Sequence, residues 1–477
     1  MITGSGWQRA LVSRLVRNIP DGFYRNLSWQ YFGSIAAVSF GFLYSLLLAR
    51  ALGAAEFGLI ALSLAFTTVV FQLVELRLHE AVIRYVAEFW EAGDHPRTLA
   101  AVKLFVLADV VTGLLALGVV MAGSVWAQQY LIRDGRGAQV VVLAGISVFF
   151  TNVMTATALG LYRVFGDFRA QALISAAGAG FKLLLAIAVI RWAAADAVGV
   201  MIAAIVSSFL VNAFLIGFSF HRFRSRIRVR LSDAPLSLLA HRKQEIFRFV
   251  RSTYLLSISM IPTKDLDINL LGFFAPLNVV GTYRIAKSFM SALWTLSDPV
   301  FLVIYPEVAR MWARRQFAEI RSFVKKITVI LGGSALAAYA AASLIVPILI
   351  ISWMGPEYRD AGSMFRWMTW GLVVWAPLVW VNPLLMAAGR PELLLKSSVI
   401  ASMFVAALYV PAISLAGANG AAFVSALANP AVLLLSIWIG NREGIVLPDP
   451  SRFRMDPEKP AAGKTEHDSS VAVRGEA

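Results

Sequence analysis

Apolar runs of about 20 residues recur along the chain and constrain its fold more than any other feature. A helix needs about 20 apolar residues to cross a hydrocarbon core of about 30 Å. Of the 477 residues, 58% are hydrophobic and 15% are charged, whereas soluble domains carry about 25% charge. We therefore predict an all-α membrane protein with about twelve spans, near residues 27–49, 57–76, 99–125, 138–160, 170–190, 197–218, 252–274, 279–304, 327–351, 363–387, 393–413 and 418–439.

Lysine and arginine are distributed unevenly between the segments that join these spans. With both termini in the cytoplasm, the inside segments hold most of the 43 cations. The outside loops are short and hold only Arg50, Arg133, Arg136, Arg191 and Arg359. Because Lys and Arg favour the cytoplasmic side, this asymmetry predicts cytoplasmic N and C termini in a multi-pass protein of the cell inner membrane. It also explains the net charge of +15 without a nucleic-acid partner.

The charge pattern and the spans divide the chain into five parts. The basic segment in the middle is expected to contact anionic lipid headgroups. The parts are a cytoplasmic amphipathic N-terminal segment (1–26), an N-terminal six-helix lobe (27–220), a basic cytoplasmic linker (221–251), a C-terminal six-helix lobe (252–439) and a disordered cytoplasmic tail (440–477).

The two lobes carry an internal repeat with an offset of 222 or 223 residues. Each half has an even number of predicted spans, so the halves share one orientation in the membrane. Transporters with such parallel halves commonly place the substrate path between them. The matched residues include Gly58 with Gly281, Glu75 with Asp298, Trp90 with Trp312, and Gly166 with Gly389.

Short motifs at the predicted turns and helix ends resemble those of one family. The motifs are Leu48-Ala49-Arg50-Ala51-Leu52-Gly53 with Glu56-Phe57-Gly58, Val280-Gly281-Thr282-Tyr283 after Asp267, Tyr305-Pro306-Glu307, Trp353-Met354-Gly355-Pro356-Glu357-Tyr358, and Ala388-Gly389-Arg390-Pro391. In this order and spacing they resemble the polysaccharide flippases of the multidrug/oligosaccharidyl-lipid/polysaccharide (MOP) exporter superfamily.

This resemblance implies a V-shaped fold of two lobes. It also implies a transporter that moves undecaprenyl-diphosphate-linked oligosaccharide from the cytoplasmic to the periplasmic leaflet, for lipopolysaccharide O-antigen, capsule or exopolysaccharide synthesis. Polysaccharide assembly enzymes are then candidate partners. Two alternatives stay open, a cation-coupled multidrug exporter on the same fold and a membrane-embedded polysaccharide polymerase or ligase. The turn motifs identify no substrate-binding residue.

The eighth predicted span carries a polar stripe. Arg284, Lys287, Ser291, Trp294 and Asp298 recur at steps of three and four residues, which places them on one helical face. A charged side chain within a span is costly unless it faces a wet cavity or a partner. We expect this stripe to line a cavity.

The seventh predicted span adds a second group of charges. Lys264 and Asp267 lie on one face, just after Pro262, which is expected to kink the helix. Lys264, Arg284 and Lys287 together would suit a diphosphate, because Arg pairs two oxygens and Lys acts as a point charge. The substrate-binding candidates are therefore Lys264, Arg284, Lys287, Asp267 and Trp294. In the alternative interpretation, Asp265 and Asp267 neutralise Lys264 and Arg284 as structural ion pairs.

Two charges in the first half lie about ten to twelve residues inside their spans. Asp109 and Lys182 are expected near the membrane midplane, where they either pair with each other or form a proton or sodium coupling site. Asp298 is the third ion-coupling candidate, although it and Glu75 also fit interfacial positions at the cytoplasmic ends of their helices.

The sequence offers no pattern for catalysis, a cofactor or a metal. Cysteine is absent and the five histidines have no metal-ligand spacing. A polymerase or ligase would be expected to have a large periplasmic loop, and a cavity for cationic drugs would be acidic. We therefore predict a transporter rather than an enzyme.

Overall fold

A computed structural model describes residues 23–76, 78–192, 196–227, 230, 233–259, 261, 266–295 and 298–442. These residues form α-helices with short π and 3₁₀ turns. Eight of their helices are long and apolar enough to cross a membrane. The predicted N-terminal amphipathic helix and C-terminal tail fall mostly outside the described residues, as do Lys264 and Asp265.

The described part of the first half is built from five long helices, one of them divided into α3 and α4. They are α1 (Phe23–Val74), α2 (His95–Trp126), which continues as a π-helix (Ala127–Ile132), α3 (Gly137–Asn152), α4 (Thr155–Val164), α5 (Phe168–Trp192) and α6 (Ala197–Arg226), and the short turns His79–Ala81, Val82–Val86 and Ala87–Glu91 join α1 to α2.

The second half repeats this organisation with more interruptions. Its elements are a 3₁₀-helix (Leu236–Arg242), α7 (Lys243–Ser259), α8 (Leu266–Phe274), α9 (Leu277–Thr295), α10 (Asp298–Ala313), α11 (Phe317–Met354), a 3₁₀ turn (Pro356–Tyr358), α12 (Ala361–Trp375), a second 3₁₀ turn (Ala376–Leu378), α13 (Val381–Ala387) and α14 (Pro391–Arg442).

The longest helices each cover two predicted spans. As straight rods, α1 and α14, of 52 residues each, would measure about 78 Å, more than twice the hydrocarbon thickness. Gly53 (φ 78°) and Gly417 (φ 55°) break them with non-helical backbone that glycine adopts without steric penalty. Both breaks lie in the short loops that the hydropathy pattern predicts between spans.

Several predicted spans are instead divided between two helices, including the two described next. The span at 138–160 divides into α3 and α4, with Met154 in the left-handed conformation (φ 58°) between them. The span at 252–274 divides into α7 and α8. Apolar composition sets the length of a span but does not reveal the break between α3 and α4, because polar side chains from neighbouring helices stabilise it.

The apolar packing is continuous at one end of the molecule and divided into two cores at the other. At the end that contains the turns near Gly53 and Gly355, here called the turn end, one apolar core includes residues of both halves, such as Leu59 and Tyr283. At the opposite end, here called the basic end because segments 222–251 and 310–326 lie there, the cores are separate. One contains Val82 and Phe105, and the other contains Val308 and Trp380.

Contacts across the halves at the turn end are close. The Tyr358 hydroxyl donates to the carbonyl oxygen of Ala49 at 2.8 Å, and Tyr358 is fully buried. The Arg133 guanidinium donates to the carbonyl oxygen of Phe273 at 2.6 Å. The apolar packing of the described residues is therefore continuous across the halves at the turn end and divided into two cores at the basic end.

Candidate functional site

The predicted polar stripe of α9 lies on the less buried face of that helix. Tyr283, Ala286 and Met290 are buried, whereas Arg284, Lys287 and Trp294 are half-buried and Ser291 is exposed. The structure does not describe the side chain of Asp298, at the start of α10. A partly exposed face with two cations suits a wet cavity better than lipid tails.

Asp267 is the centre of the charged group beside this stripe. Its carboxylate is 1% exposed and accepts hydrogen bonds from the Lys287 ammonium at 2.8 and 3.1 Å. The Tyr283 hydroxyl donates to the same carboxylate at 2.7 Å. Sequence analysis considered Arg284 as the partner of Asp267, but Lys287 takes that position, one helical turn further along α9.

Arg284 therefore differs from its neighbour. It is half-buried, and its guanidinium makes no hydrogen bond or ion pair within the described part of the chain. Its guanidinium can pair two oxygens of a phosphate without breaking an existing contact. Lys264, the third predicted cation, falls outside the described residues.

Aromatic side chains continue the stripe towards the basic end. The rings of Trp294 and Trp375 meet edge to face with centroids 4.6 Å apart. Flat, partly exposed aromatic faces give an apolar surface with a polar handle, which suits an amphipathic ligand.

Asp109 holds the start of α4 from the neighbouring helix α2. It is fully buried, and its Oδ2 accepts hydrogen bonds from the backbone N–H of Thr157 at 3.1 Å and from the Thr157 hydroxyl at 2.6 Å. A carboxylate at a helix N-terminus satisfies an otherwise unpaired N–H and interacts favourably with the helix dipole. Its other oxygen, Oδ1, has no hydrogen-bond partner within the described residues.

Asn212 of α6 supports the same break from the other side. Its amide donates to the carbonyl oxygens of Phe150 and Val153 at 2.6 and 3.0 Å, and its own oxygen accepts from the Thr155 hydroxyl at 2.7 Å. The carbonyls that the interruption leaves free are thereby satisfied, as they must be within a membrane. Sequence analysis did not identify Asn212. The signal that could have identified it is an amide side chain within an apolar run.

Glu75, at the end of α1, joins this network. It accepts a hydrogen bond from the side-chain amide of Asn152 at 3.2 Å, and its carboxylate is close enough to that of Asp109 for the two to interact electrostatically. Lys182 belongs elsewhere, because its ammonium lies 4.9 Å from the centroid of the Tyr44 ring. Asp109 and Lys182 do not form the ion pair that the sequence allowed.

Ion pairs at the basic end attach the start of α7 to the first lobe. The Arg242 guanidinium bonds both Glu88 and Glu245, with a 2.8 Å contact to the latter. Glu245 also accepts from Arg84 and from the Tyr85 hydroxyl, each at 3.3 Å. Hydrogen bonds from Arg242 hold the pKa of the Glu245 carboxyl below its ordinary value. We call this group the basic-end clasp.

Solved structures share this architecture. An inward-facing multidrug resistance MATE family transporter of the MOP superfamily aligns over 87% of this chain and 94% of its own (TM-score 0.61, 15% identity). The lipid II flippase MurJ in an inward closed conformation aligns over 86% and 87% (0.63, 14%), and the Vibrio cholerae MATE transporter VcmN in its bent form over 88% and 96% (0.55, 14%). The fold is therefore that of multi-pass membrane transporters of the MOP type.

A family model described as "Polysaccharide biosynthesis protein" matches residues 23–312, and the chain belongs to this family. The resemblance noted in the turn motifs is confirmed at the level of family and fold. No curated protein sequence matches the chain. Within the described residues, no group of three or more His, Asp or Glu side chains is arranged to hold a metal ion.

Proposed function

We propose that this protein is a flippase that carries an undecaprenyl-diphosphate-linked oligosaccharide from the cytoplasmic to the periplasmic leaflet of the inner membrane, for synthesis of a surface polysaccharide such as lipopolysaccharide or exopolysaccharide. Membership of a polysaccharide biosynthesis family supports the pathway. The MOP-type fold supports transport rather than catalysis. The observation that carries the proposal is the presence of two cations, Arg284 and Lys287, on the less buried face of α9.

A flippase for such a lipid must give the hydrophilic headgroup a polar path while the lipid tail stays in the membrane. In this proposal a cleft between the two separate cores of the basic end receives the headgroup, and α9 runs from the turn end towards it. In this proposal the basic end is cytoplasmic, the chain crosses the membrane about twelve times and both termini lie in the cytoplasm.

The diphosphate has a specific partner in this cleft. Arg284 is available to pair two phosphate oxygens, whereas the charge of Lys287 is already balanced by Asp267. We assign the main contact to Arg284, a secondary one to Lys287, and a third to Lys264, which lies outside the described residues. Trp294 offers an apolar face against which a sugar ring can pack.

A basic pocket at the outside of the first lobe fits the second proposed partner, an anionic membrane lipid. A cavity of about 460 Å³ lies there, and its lining includes Arg25, Trp29, Asp167, Arg169 and Arg222. The Arg169 guanidinium lies 5.0 Å from the centroid of the Trp29 ring. Arginines beside a tryptophan at the membrane surface favour a lipid headgroup.

The multidrug exporter is the alternative that the fold leaves open, since several MATE transporters share it. A site for cationic drugs would need an unpaired acid at the cavity surface. Asp267, the acid beside the stripe, is buried and paired with Lys287, which favours an anionic substrate.

The test is the sidedness of the lipid-linked oligosaccharide in cells that lack the gene and any redundant flippase. We expect accumulation in the cytoplasmic leaflet and loss of surface polysaccharide, both reversed by the wild-type gene. Arg284→Ala should fail to restore the polysaccharide at normal protein level. Arg366→Ala, which removes an exposed arginine of α12, is the matched control and should restore it. Normal surface polysaccharide without the gene would contradict the proposal.

A further inference from the structure

A cavity lies at the basic end, where the linker packs against the first lobe. Its volume is about 510 Å³, within the range of about 300–1,000 Å³ that is usual for ligand sites. One wall belongs to α2, and the other belongs to the 3₁₀-helix and α7. We call it the linker cavity, and its walls include Leu104, Phe105, Ala108, Leu239, Ile246 and Val250.

The linker cavity is apolar except at its exposed edge. Phe105 and Leu239 are buried, and of the described residues that line the cavity only Ser237 and Lys243, both exposed, have polar side chains. The Lys243 ammonium makes no hydrogen bond or ion pair within the described part of the chain. Glu245, the acidic residue of α7, is engaged in the basic-end clasp. An apolar cavity beside an available ammonium fits an anion that carries a hydrocarbon chain.

The linker cavity reaches the depth at which lipid chains lie. Leu104 and Ala108 are five and nine residues beyond Leu99, where a predicted span begins, which corresponds to about 8 and 14 Å along α2. The Lys103 ammonium donates to the carbonyl oxygen of Ala234 at 2.9 Å, which fixes the linker beside this part of α2. A ligand that fills the cavity therefore extends from the headgroup layer into the hydrocarbon layer, as a membrane lipid does.

The surface around the linker cavity has the composition of a membrane interface. Leu236 and Phe247 line the cavity and are exposed. Lys243, Arg248 and Arg251 are exposed on the same segment. A segment with exposed apolar and basic side chains lies in the interface and attracts anionic lipids. The lipids that surround the linker can therefore reach the cavity directly.

We propose that the linker cavity binds one hydrocarbon chain of an anionic phospholipid, with the phosphate of its headgroup beside the Lys243 ammonium. This site shares no lining residue with the basic pocket around Arg25 and Arg169. A bound chain contacts α2 and α7 at once, so it holds the linker against the first lobe. Because α7 begins the second half, the lipid also affects how the lobes move. That effect on transport rests on the proposed flippase function, whereas lipid binding does not.

Photocrosslinking tests the site without any transport. The purified protein is placed in phosphatidylcholine vesicles with a minor fraction of phosphatidylglycerol that carries a photoreactive acyl chain. We expect crosslinks in peptides that contain residues 104–108 and 246–250. Ala240→Trp puts a bulky side chain in the exposed part of the lining and should reduce these crosslinks at least tenfold. Ala318→Trp, at an exposed position of α11, is the matched control and should keep them.

The headgroup contact is tested in the same vesicles. Wild-type protein should crosslink phosphatidylglycerol in preference to an equally labelled phosphatidylcholine, and Lys243→Gln should lose this preference. Lys326→Gln, which removes another exposed lysine of the basic end, should retain it. Absence of crosslinks from both peptides, or equal crosslinking in wild type and Ala240→Trp, would overturn the proposal. Crosslinks that unlabelled polyprenyl diphosphate removes and unlabelled phosphatidylglycerol does not would assign the cavity to the substrate's chain instead.

Hydrogen exchange then measures whether the lipid holds the linker. Phosphatidylglycerol should slow exchange at the start of α7 in wild type and in Ala318→Trp, but not in Ala240→Trp. Oligosaccharide transport should respond to phosphatidylglycerol in the same two proteins and not in Ala240→Trp. Transport that ignores this lipid, in a protein that crosslinks it, overturns the regulatory role alone. Crosslinking without any oligosaccharide transport would contradict the flippase function and leave the lipid site standing.

Discussion

Gly58 and Gly281 face each other across the interface between the two halves, and the backbone of the opposite half leaves no room for a side chain on either glycine. A Cβ on Gly58 would lie 1.9 Å from the carbonyl oxygen of Leu277, and a Cβ on Gly281 would lie 2.0 Å from that of Ala54. In both cases the carbonyl that the Cβ would meet belongs to the residue four positions before the other glycine. The two glycines are also partners in the internal repeat, so the contact has the reciprocity that a two-fold arrangement of the halves requires.

Alanine at either glycine should destabilise the junction of the lobes. The obstructing atoms are backbone, so α1 and α9 must separate, and we expect a loss of about 1–3 kcal/mol or more. Gly118→Ala is the control, because nothing lies within 4 Å of its Cβ position. Thermal unfolding in detergent measures the effect. Since both substitutions force the same separation, the double variant should lose less than the sum of the two. Equal midpoints for Gly58→Ala and Gly118→Ala would refute this account of the junction.

The Asp267–Lys287 pair should behave as one unit in a double-mutant cycle. Lys287→Ala leaves a buried carboxylate that keeps its hydrogen bonds from the Tyr283 hydroxyl and the Ile268 backbone N–H but loses its cation, and we expect a loss of stability of about 3–5 kcal/mol. Asp267→Asn combined with Lys287→Gln removes both charges and should recover a large part of this loss. Thermal unfolding of the singles and the double tests this expectation. Additive losses would show that the two side chains are not energetically coupled.

Acid should loosen the basic-end clasp. Hydrogen bonds from Arg242 lower the pKa of Glu245 in the folded protein. The clasp therefore contributes stability above the ordinary pKa of a glutamate, and this contribution is lost as the pH falls through the lowered value. Hydrogen exchange at the start of α7, corrected for intrinsic rates, should rise as the pH is lowered from 7 to 3. In Glu245→Gln the protection should be weaker at pH 7 and change less with pH. An unchanged pH profile in this variant would remove Glu245 as the cause.

The predicted orientation can be measured with single cysteines, because the native chain has none. Gly135→Cys introduces a thiol at an exposed turn-end loop, and Lys326→Cys introduces one on an exposed surface near the basic end. A membrane-impermeant maleimide applied from the periplasmic side should label the first variant in cells with an intact inner membrane. It should label the second only after that membrane is opened. The reverse pattern would invert the proposed topology.

Much of the architecture follows from the sequence because it depends on local patterns. Runs of apolar residues give the spans, and the turns at Gly53 and Gly417 fall between predicted spans because positive φ favours glycine. The constant offset of the repeat pairs Gly58 with Gly281, although it does not reveal that they touch. The steps of three and four residues place Arg284, Lys287 and Trp294 together on the less buried face of α9, and that this face lines a cavity stays a prediction.

The polar contacts between helices could not be predicted from local sequence patterns. Asp267 and Lys287 are 20 residues apart in the sequence. The expected depth in the membrane allowed either Arg284 or Lys287 as the partner of Asp267. The division of α3 from α4 depends on Asn212 and Asp109, which come from two other helices. The sequence therefore identified Asp109 only as an isolated buried charge. It did not show that Glu75, Asn152 and Thr157 lie around it.

The most direct test of the central claim is transport by the purified protein in vesicles that contain a polyprenyl-diphosphate oligosaccharide, read out as the fraction of oligosaccharide accessible to a glycosidase added outside. Vesicles with the wild-type protein and with Arg366→Ala should expose the inner-leaflet oligosaccharide over time, whereas Arg284→Ala should slow this exposure at least tenfold. Exposure no faster than in protein-free vesicles, with correctly folded wild-type protein, would contradict the flippase function.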